Sequence, residues 1–236
     1  MDNMIDIKDC KADLSDIKIE NLLDLSKTDA APLFEGKTYP FEILPEIKGY
    51  ITDVLIPSLD KAEFEQRGEN VFVAKSAKIA ASAVINGPTV IFPDAEIRPG
   101  AFIRGSAIVG RAAVVGNSTE LKNCVLFDGV QVPHYNYVGD SILGYRAHMG
   151  AGSITSNVKS DKLLVVVKNG NERIETGRKK VGAMVGDGVE VGCGSILNPG
   201  SVIGPHSSIY PLSSVRGVVP ANSIYKCQGE IAEKHE

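Results

Sequence analysis

From Val73 onward, every step of six residues meets a large apolar side chain: Val73, Ile79, Ile85, Ile91, Ile97, Ile103, Val109, Val115, Leu121 and Phe127. Four residues after each of the first nine stands a small or β-branched one: Ala77, Ala83, Thr89, Ala95, Ala101, Ala107, Ala113, Thr119 and Val125. The same frame returns as Val185, Val191, Leu197, Ile203, Ile209 and Val215, with Val189, Ser195, Ser201, Ser207 and Ser213 as small partners. A period of six fits neither the 3.6 of a helix nor the 2 of an ordinary strand. It suits a short strand followed by a tight corner, where the aliphatic residue fills an interior and only a small one fits at the bend. Gly110, Gly116, Asn117, Asp128, Gly129, Pro199 and Gly200 supply turn conformations between them. Three hexads make one triangular coil, and stacked coils make a parallel β-solenoid stabilised by nearest-neighbour contacts. The sixteen hexads in frame, with two more read at Leu143 and Met149, imply about six coils.

The frame breaks between Phe127 and Val185, where Pro133 takes an aliphatic slot. Within the excursion 158–183, the run Leu163-Leu-Val-Val-Val167, the turn Asn169-Gly170 and Arg173-Ile-Glu175 predict a projecting β-hairpin. Loops on a rigid scaffold are where sites are built, so chemistry is expected between Leu121 and Arg178. Residues 1–66 lack the hexad. Apolar positions at helical spacing in Ile17–Leu25 and Pro45–Ile56 predict a small N-terminal helical cap closing the open end of the solenoid, or a docking surface for another protein. The chain thus divides into a helical cap region at 1–66, a solenoid domain at 67–220 and a tail at 221–236.

Composition narrows the class. With 43% apolar and 23% charged residues the chain is globular, and no apolar run is long enough for a membrane helix. The acidic N-terminus MDNMIDIKDC does not read as a signal peptide, so a cytoplasmic location with no membrane partner is expected. Residues 1–66 hold 15 acidic and 7 basic side chains, net −8, leaving 18 basic and 14 acidic, net +4, for the rest. Nothing suggests a nucleic-acid partner. Cys10, Cys124, Cys193 and Cys227 form no CxxC pair, so neither a zinc knuckle nor a disulfide framework is expected.

His134, in Val132-Pro-His-Tyr-Asn-Tyr137, stands where the repeat fails. An imidazole there has two readings, a general base for a reacting amine or a structural histidine bonded to a turn. Arg98 and Lys122 lie 24 residues apart and His134 a further 12 along, multiples of six that would gather cations on one side of the prism. Arg and Lys together suit a phosphate, the one through its fork and the other as a point charge.

The hexad pattern resembles that of the hexapeptide-repeat acyltransferases, whose fold is the left-handed parallel β-helix; ordinary crossover rules alone would give the right hand. The motifs Asn117-Ser-Thr-Glu-Leu-Lys122, Pro133-His-Tyr-Asn-Tyr137, Gly139-Asp140 and Gly150-Ala-Gly-Ser-Ile-Thr-Ser-Asn157 narrow the likeness over about residues 71–220. They resemble the acetyltransferase half of the bifunctional enzyme that makes UDP-N-acetylglucosamine and, with Gly177-Arg-Lys-Lys180, archaeal sugar-1-phosphate acetyltransferases. The resemblance implies a mainly β, left-handed β-helix enzyme that N-acetylates an amino-sugar 1-phosphate of the glucosamine or galactosamine type from acetyl-CoA, with no metal. It implies His134 as base and Arg98, Lys122 and Tyr137 on the sugar phosphate. Asn157 matches a sugar contact, while Ala151 and Cys193 match the acetyl-CoA groove. A homotrimer with sites between subunits and a place in nucleotide-sugar biosynthesis also follow from it. Two positions depart from the pattern, His148 for an Asn and Val158 for a Tyr, both at places that touch the sugar. Arg178, Lys179 and Lys180, together with Lys226, are candidates for the CoA phosphates. Residues 1–66 offer neither the length nor the Gly-rich loop of a uridylyltransferase, so no pyrophosphorylase activity is expected.

Two other readings compete. A non-catalytic sugar-phosphate-binding or interaction protein would keep the pocket without needing a base. A γ-carbonic-anhydrase-like zinc hydratase needs three imidazoles at one metal, and His134, His148, His206 and His235 are poorly spaced for it.

Overall fold

Parallel ladders dominate the structure, a computed structural model that describes residues 14–227 and 230–233; Cys10 and His235 lie outside the described residues. Interior side chains stack rung upon rung. On the first face the column runs Val73, Ile91, Val109, Leu126, Leu143, Val185, Ile203 and Val219. On the second face Ile79, Ile97, Val115 and Val132 lead towards Met149, Val191, Ile209 and Tyr225. The third carries Ile85, Ile103, Leu121, Val138, Thr155, Leu197 and Val215. The fold is a parallel β-solenoid, mainly β and consistent with the left-handed β-helix.

The first face has eight rungs where in-frame hexads alone give about six coils. The difference lies in a slip of the frame. The coils from Val109 to Leu126 and from Leu126 to Leu143 are 17 residues long, whereas Val73 to Ile91 and Ile91 to Val109 take 18. Leu126, not Phe127, therefore fills the interior rung, and Cys124, not Val125, takes the small corner slot between Ala107 and Ser141. Val132, not Pro133, occupies the next aliphatic position. Phe127 is nonetheless fully buried, because it meets the ring of Phe34 edge-on at 5.7 Å from outside the barrel.

That contact shows where the N-terminal region sits. It is helical, with turns at Ile19–Leu22 and a helix running through Ile47–Tyr50, a wider turn Ile51–Leu55 and Ile56–Ser58. Closure of an open end was expected; Phe64–Gly68 does lie at that end, antiparallel to Val71–Ala74, while the helical turns run along the first face. Leu22 O accepts from Asp187 N (3.1 Å), Lys27 O from Asp128 N (3.0 Å), and Asp29 pairs with Arg111 at 2.9 Å. Leu44 O accepts from the Asn123 amide at 3.2 Å. The outward side chains of this face, Val90, Ile108, Val125 and Ile142, are consequently buried as fully as the interior ones. Each such side chain contributes about 1.5–3 kcal/mol relative to exposure.

The excursion forms the expected hairpin with its boundaries shifted. Val166–Asn169 pairs antiparallel with Glu172–Glu175, and the connection is Gly170-Asn171 rather than Asn169-Gly170. Leu163 and Leu164 stay exposed outside the strand, while Val165 and Val167 are fully buried. The hairpin folds back on Ser201–Ile203 and Val218–Val219, so it covers the later coils of the face that the N-terminal region covers earlier.

Close stacking sets the tolerance of the corners. A Cβ on Gly116 would lie 1.6 Å from the Pro133 carbonyl oxygen, whereas one on Gly170 would meet nothing within 4 Å. Gly116→Ala should therefore cost more than the ~1–3 kcal/mol of ordinary overpacking, and Gly170→Ala only the ~1–2 kcal/mol of its left-handed conformation. Urea unfolding of the two variants measures the difference.

Candidate functional site

Asp140 is the centre of a buried polar cluster. It follows Gly139 at the corner between the third and first faces, with a backbone φ of 49°, a left-handed conformation that Asp tolerates better than most residues. Its side chain is only 3% exposed. Lys122 Nζ reaches its two carboxylate oxygens at 3.0 and 3.2 Å. The Asn123 amide donates to it at 2.9 Å and the Asn157 amide at 2.6 Å. Asn157 also donates to the Tyr137 hydroxyl at 3.2 Å. A buried carboxylate is tolerated only with this many partners, and here they come from three successive coils.

The register explains the convergence. Asn123 and Asp140 each follow a pair of aligned residues, Lys122 and Gly139, in adjacent coils. Gly139 leaves room for the Tyr137 ring, since a Cβ there would sit within 2.4 Å of the Tyr137 hydroxyl. Burial, then the charges of Asp140 and Glu120, raise the Tyr137 phenol above its ordinary pKa, so it stays a neutral donor at physiological pH. Around this cluster opens a cleft of about 580 Å³ whose rim carries Lys48, Lys122, Arg178, Lys179 and Lys180.

His134 stands elsewhere. It lies at the corner between the second and third faces, in register with Asn117 of the preceding coil. Its backbone is fixed by Asn136, which accepts from His134 N at 3.0 Å and donates to Gly150 O and Ser153 O at 2.8 and 3.0 Å. The imidazole itself is exposed and makes no hydrogen bond among the described residues. The Asn117 side-chain oxygen is buried without a hydrogen-bond partner among the described residues. Ala151 and Cys193 continue upward from His134, with Gly152 N donating to His134 O and Gly194 N to Ala151 O. Arg98 is at the end of the second face, paired with Glu96 at 3.0 Å. His148 projects from the same face and its Nδ1 lies 2.7 Å from Glu190.

The structure thus brings together Lys122, Tyr137, Asn157, Arg178, Lys179 and Lys180 at one corner, and His134, Ala151 and Cys193 at another. Spacing in multiples of six does not unite Arg98, Lys122 and His134 within one chain. A step of six passes to the next face, and only a full coil of 17 or 18 residues returns to the same one. Lys226 lies on the last parallel strand of the second face, away from Arg178–Lys180. Asn136 and Asn123 carry no motif of their own in the sequence; Asn136 is marked only by standing where the repeat puts a small residue, and Asn123 precedes the small slot of Cys124. Among the described residues no group of three His, Cys, Asp or Glu side chains converges as a metal site, and no helix is long and apolar enough to cross a membrane.

Comparison with protein families matches residues 85–210, more than half of the chain, to the family described as the GMPPB C-terminal domain. The chain belongs to that family. This member of the GMPPB C-terminal domain family also matches curated proteins over shorter stretches. A bifunctional sugar-1-phosphate nucleotidylyltransferase/acetyltransferase of Sulfurisphaera tokodaii is 39% identical over 69 residues, 29% of this chain and 17% of that protein. The bifunctional protein GlmU of Methanocaldococcus jannaschii is 37% identical over 73 residues, 31% of this chain and 18% of that protein. The matched region is therefore under a fifth of these relatives' length. Among solved structures, a hexapeptide transferase family protein from Anaplasma phagocytophilum superposes with a TM-score of 0.39 at 18% identity, over 70% of this chain and 81% of that one. AntD, an N-acyltransferase from Bacillus cereus solved with a dTDP-sugar and coenzyme A, gives 0.35 at 16% identity, over 74% and 91%.

Removing the hub of the cluster should be costly. Asp140→Ala leaves the Asn123 and Asn157 amides without their acceptor and Lys122, which reaches solvent, without its counter-charge, and is expected to lose about 1–3 kcal/mol of stability; thermal unfolding with the Asn157→Ala variant as reference checks it. Burial pushes the Cys124 thiol up to about 12, whereas Cys193 is exposed. At neutral pH iodoacetamide should therefore label Cys193 in the folded protein and reach Cys124 only on unfolding, as peptide mass spectrometry will read.

Proposed function

We propose that the protein is an acetyl-CoA-dependent N-acetyltransferase whose acceptor is an amino-sugar 1-phosphate of the glucosamine-1-phosphate or galactosamine-1-phosphate type. The observation that carries this reading is the pre-ordered set of Lys122, Tyr137 and Asn157 around Asp140, beside a cationic rim, with the imidazole of His134 left unengaged at the adjacent corner. Relatives whose names include acetyltransferase support it.

In this reading the acceptor nitrogen attacks the thioester carbonyl carbon while His134 takes its proton. The C–N bond forms, the C–S bond breaks, and CoA leaves as a thiolate that is then protonated. Lys122, Arg98 and Tyr137 hold the phosphate far from the reacting nitrogen, which uses remote binding to orient the amine. His148 and Asn157 contact the sugar; Ala151 and Cys193 line the pantetheine path, with Arg178, Lys179 and Lys180 for the CoA phosphates. The orphan acceptor of Asn117 suits an N–H or O–H donor on a ligand beside His134. Residues that one chain holds on separate faces meet when neighbouring subunits pack side by side, which is why a cytoplasmic homotrimer belongs to the proposal, with a role in nucleotide-sugar biosynthesis. The alternative, a non-catalytic sugar-phosphate-binding protein, uses the same cationic cleft and has no use for the base.

Release of free CoA from acetyl-CoA, measured with each amino-sugar 1-phosphate, tests the assignment. His134→Ala should lower kcat by about 10²–10⁴-fold, the usual weight of a general base, with sugar-phosphate affinity retained. Retained turnover would remove His134 from the mechanism. No turnover of either sugar by folded wild-type protein would overturn the acceptor and favour the binding protein. Acetyl-CoA should also slow alkylation of Cys193.

A further inference from the structure

The cleft around Asp140 has one wall that does not belong to the solenoid. Leu44, Pro45 and Lys48 of the N-terminal region line it beside Lys122. No step of the proposed transfer uses Lys48. The backbone that carries it is nonetheless held in place. Ile47 and Ile51 on either side are fully buried, and Leu44 O accepts from the same Asn123 amide that donates to Asp140. The turn bearing Lys48 is therefore tied to the hub of the cluster through one side chain.

Its charge is not met by its neighbours. On a helix a side chain faces those three and four residues away, which here are Leu44, Pro45, Ile51 and Thr52, none of them acidic. Glu46 pairs with Lys37 instead. Lys48 makes no ion pair or side-chain hydrogen bond among the described residues. Asp140 is the one carboxylate among the described residues that line the cleft, and Lys122, Asn123 and Asn157 already engage it. The other charges there, on Lys122, Arg178, Lys179 and Lys180, are of the same sign as Lys48 and repel it. An acidic N-terminal region thus places a lysine, and no acid, where cations are already gathered.

We propose that Lys48 is a specificity-determining residue for the acceptor: its ammonium binds the acceptor's phosphate together with Lys122, so that the site takes a phosphorylated amino sugar in preference to the free sugar. This rests on the acetyl-transfer reading above. A phosphate monoester carries about −1.5 to −2 charges at pH 7. Lys122 cannot balance that by itself, because Asp140 cancels its charge. Lys48 supplies a second point charge on a rigid turn, and the N-terminal region thereby becomes part of the acceptor site.

Steady-state CoA release and isothermal titration, both with glucosamine-1-phosphate and galactosamine-1-phosphate, test this on the full chain. Lys48→Ala should raise KM and Kd for the better sugar phosphate by about tenfold or more, as for a lost hydrogen bond to a charged group, with kcat within about threefold. KM for acetyl-CoA should not change, and turnover of free glucosamine at high concentration should be the same in variant and wild type. Lys48→Arg, which keeps the charge, should recover most of the affinity, and Lys61→Ala, an exposed cation outside the cleft, should change neither constant. Since Lys48 breaks no pair when removed, the thermal midpoint of Lys48→Ala should stay or rise. The two readings fail separately. Wild-type protein that binds a sugar phosphate but releases no CoA overturns acetyl transfer, and weaker binding by Lys48→Ala then still supports the phosphate contact. Unchanged KM and Kd in Lys48→Ala, a rise in KM for acetyl-CoA in place of that for the sugar, or wild-type protein that binds neither sugar phosphate overturns the role of Lys48.

Discussion

Stacking of each coil directly on the last is the constraint on which the rest depends. Every interior side chain must sit above its counterpart, so any residue added or removed has to be absorbed at a corner. Here the irregularities fall at one corner, between the third and first faces. Leu121 to Leu126 and Val138 to Leu143 are five-residue steps where the repeat has six. The hairpin excursion leaves from the same corner after Thr155 and rejoins at Val185. Asn123, Asp140 and Asn157 are the residues standing there, and their mutual hydrogen bonds follow from that placement.

Charge is divided in a way that serves this corner. The acidic N-terminal region lies along the basic solenoid and satisfies some of its cations, as Asp29 does for Arg111. It also closes one side of the Asp140 cleft through Leu44, Pro45 and Lys48 without supplying a carboxylate to it. Lys122 is held by a single buried acid, while Arg178, Lys179 and Lys180 remain at the rim. Asp140 thus fixes the position of Lys122 and cancels one charge, and the surplus at the rim is positive.

Much of this architecture was legible because the hexad is a strong, long-range regularity: Val73 through Leu121 sit in the slots that simple counting assigns. The frame slip was not legible, because Phe127 continues the period by residue type while its ring belongs to the contact with Phe34. The path of the N-terminal region along the first face was equally hidden, since helical spacing reveals an apolar stripe and not the surface that covers it. The apolar run Leu163–Val167 placed a strand, but the exposed Leu163 and Leu164 read as its start on hydrophobicity alone. At the site, residue types marked Lys122, His134 and Asn157 as polar candidates. Their grouping by face depended on distinguishing a step of six from a full coil.

Val158 gains a physical account from the same corner. It forms a lone antiparallel bridge with Lys180, at the base of the excursion. Just beyond, Val181 N donates to Asn157 O at 3.1 Å and Gly182 N to Asp140 O at 2.7 Å, and a Cβ on Gly182 would collide with Gly139 O. The excursion is therefore stapled shut at its root against the Asp140 corner, and a β-branched residue suits the extended backbone of such a bridge. This staple delivers Arg178, Lys179 and Lys180 to the rim of the cleft, 20 or more residues after Asn157 in sequence. The residue that departs from the resemblance here is thus part of the joint that assembles the cationic wall.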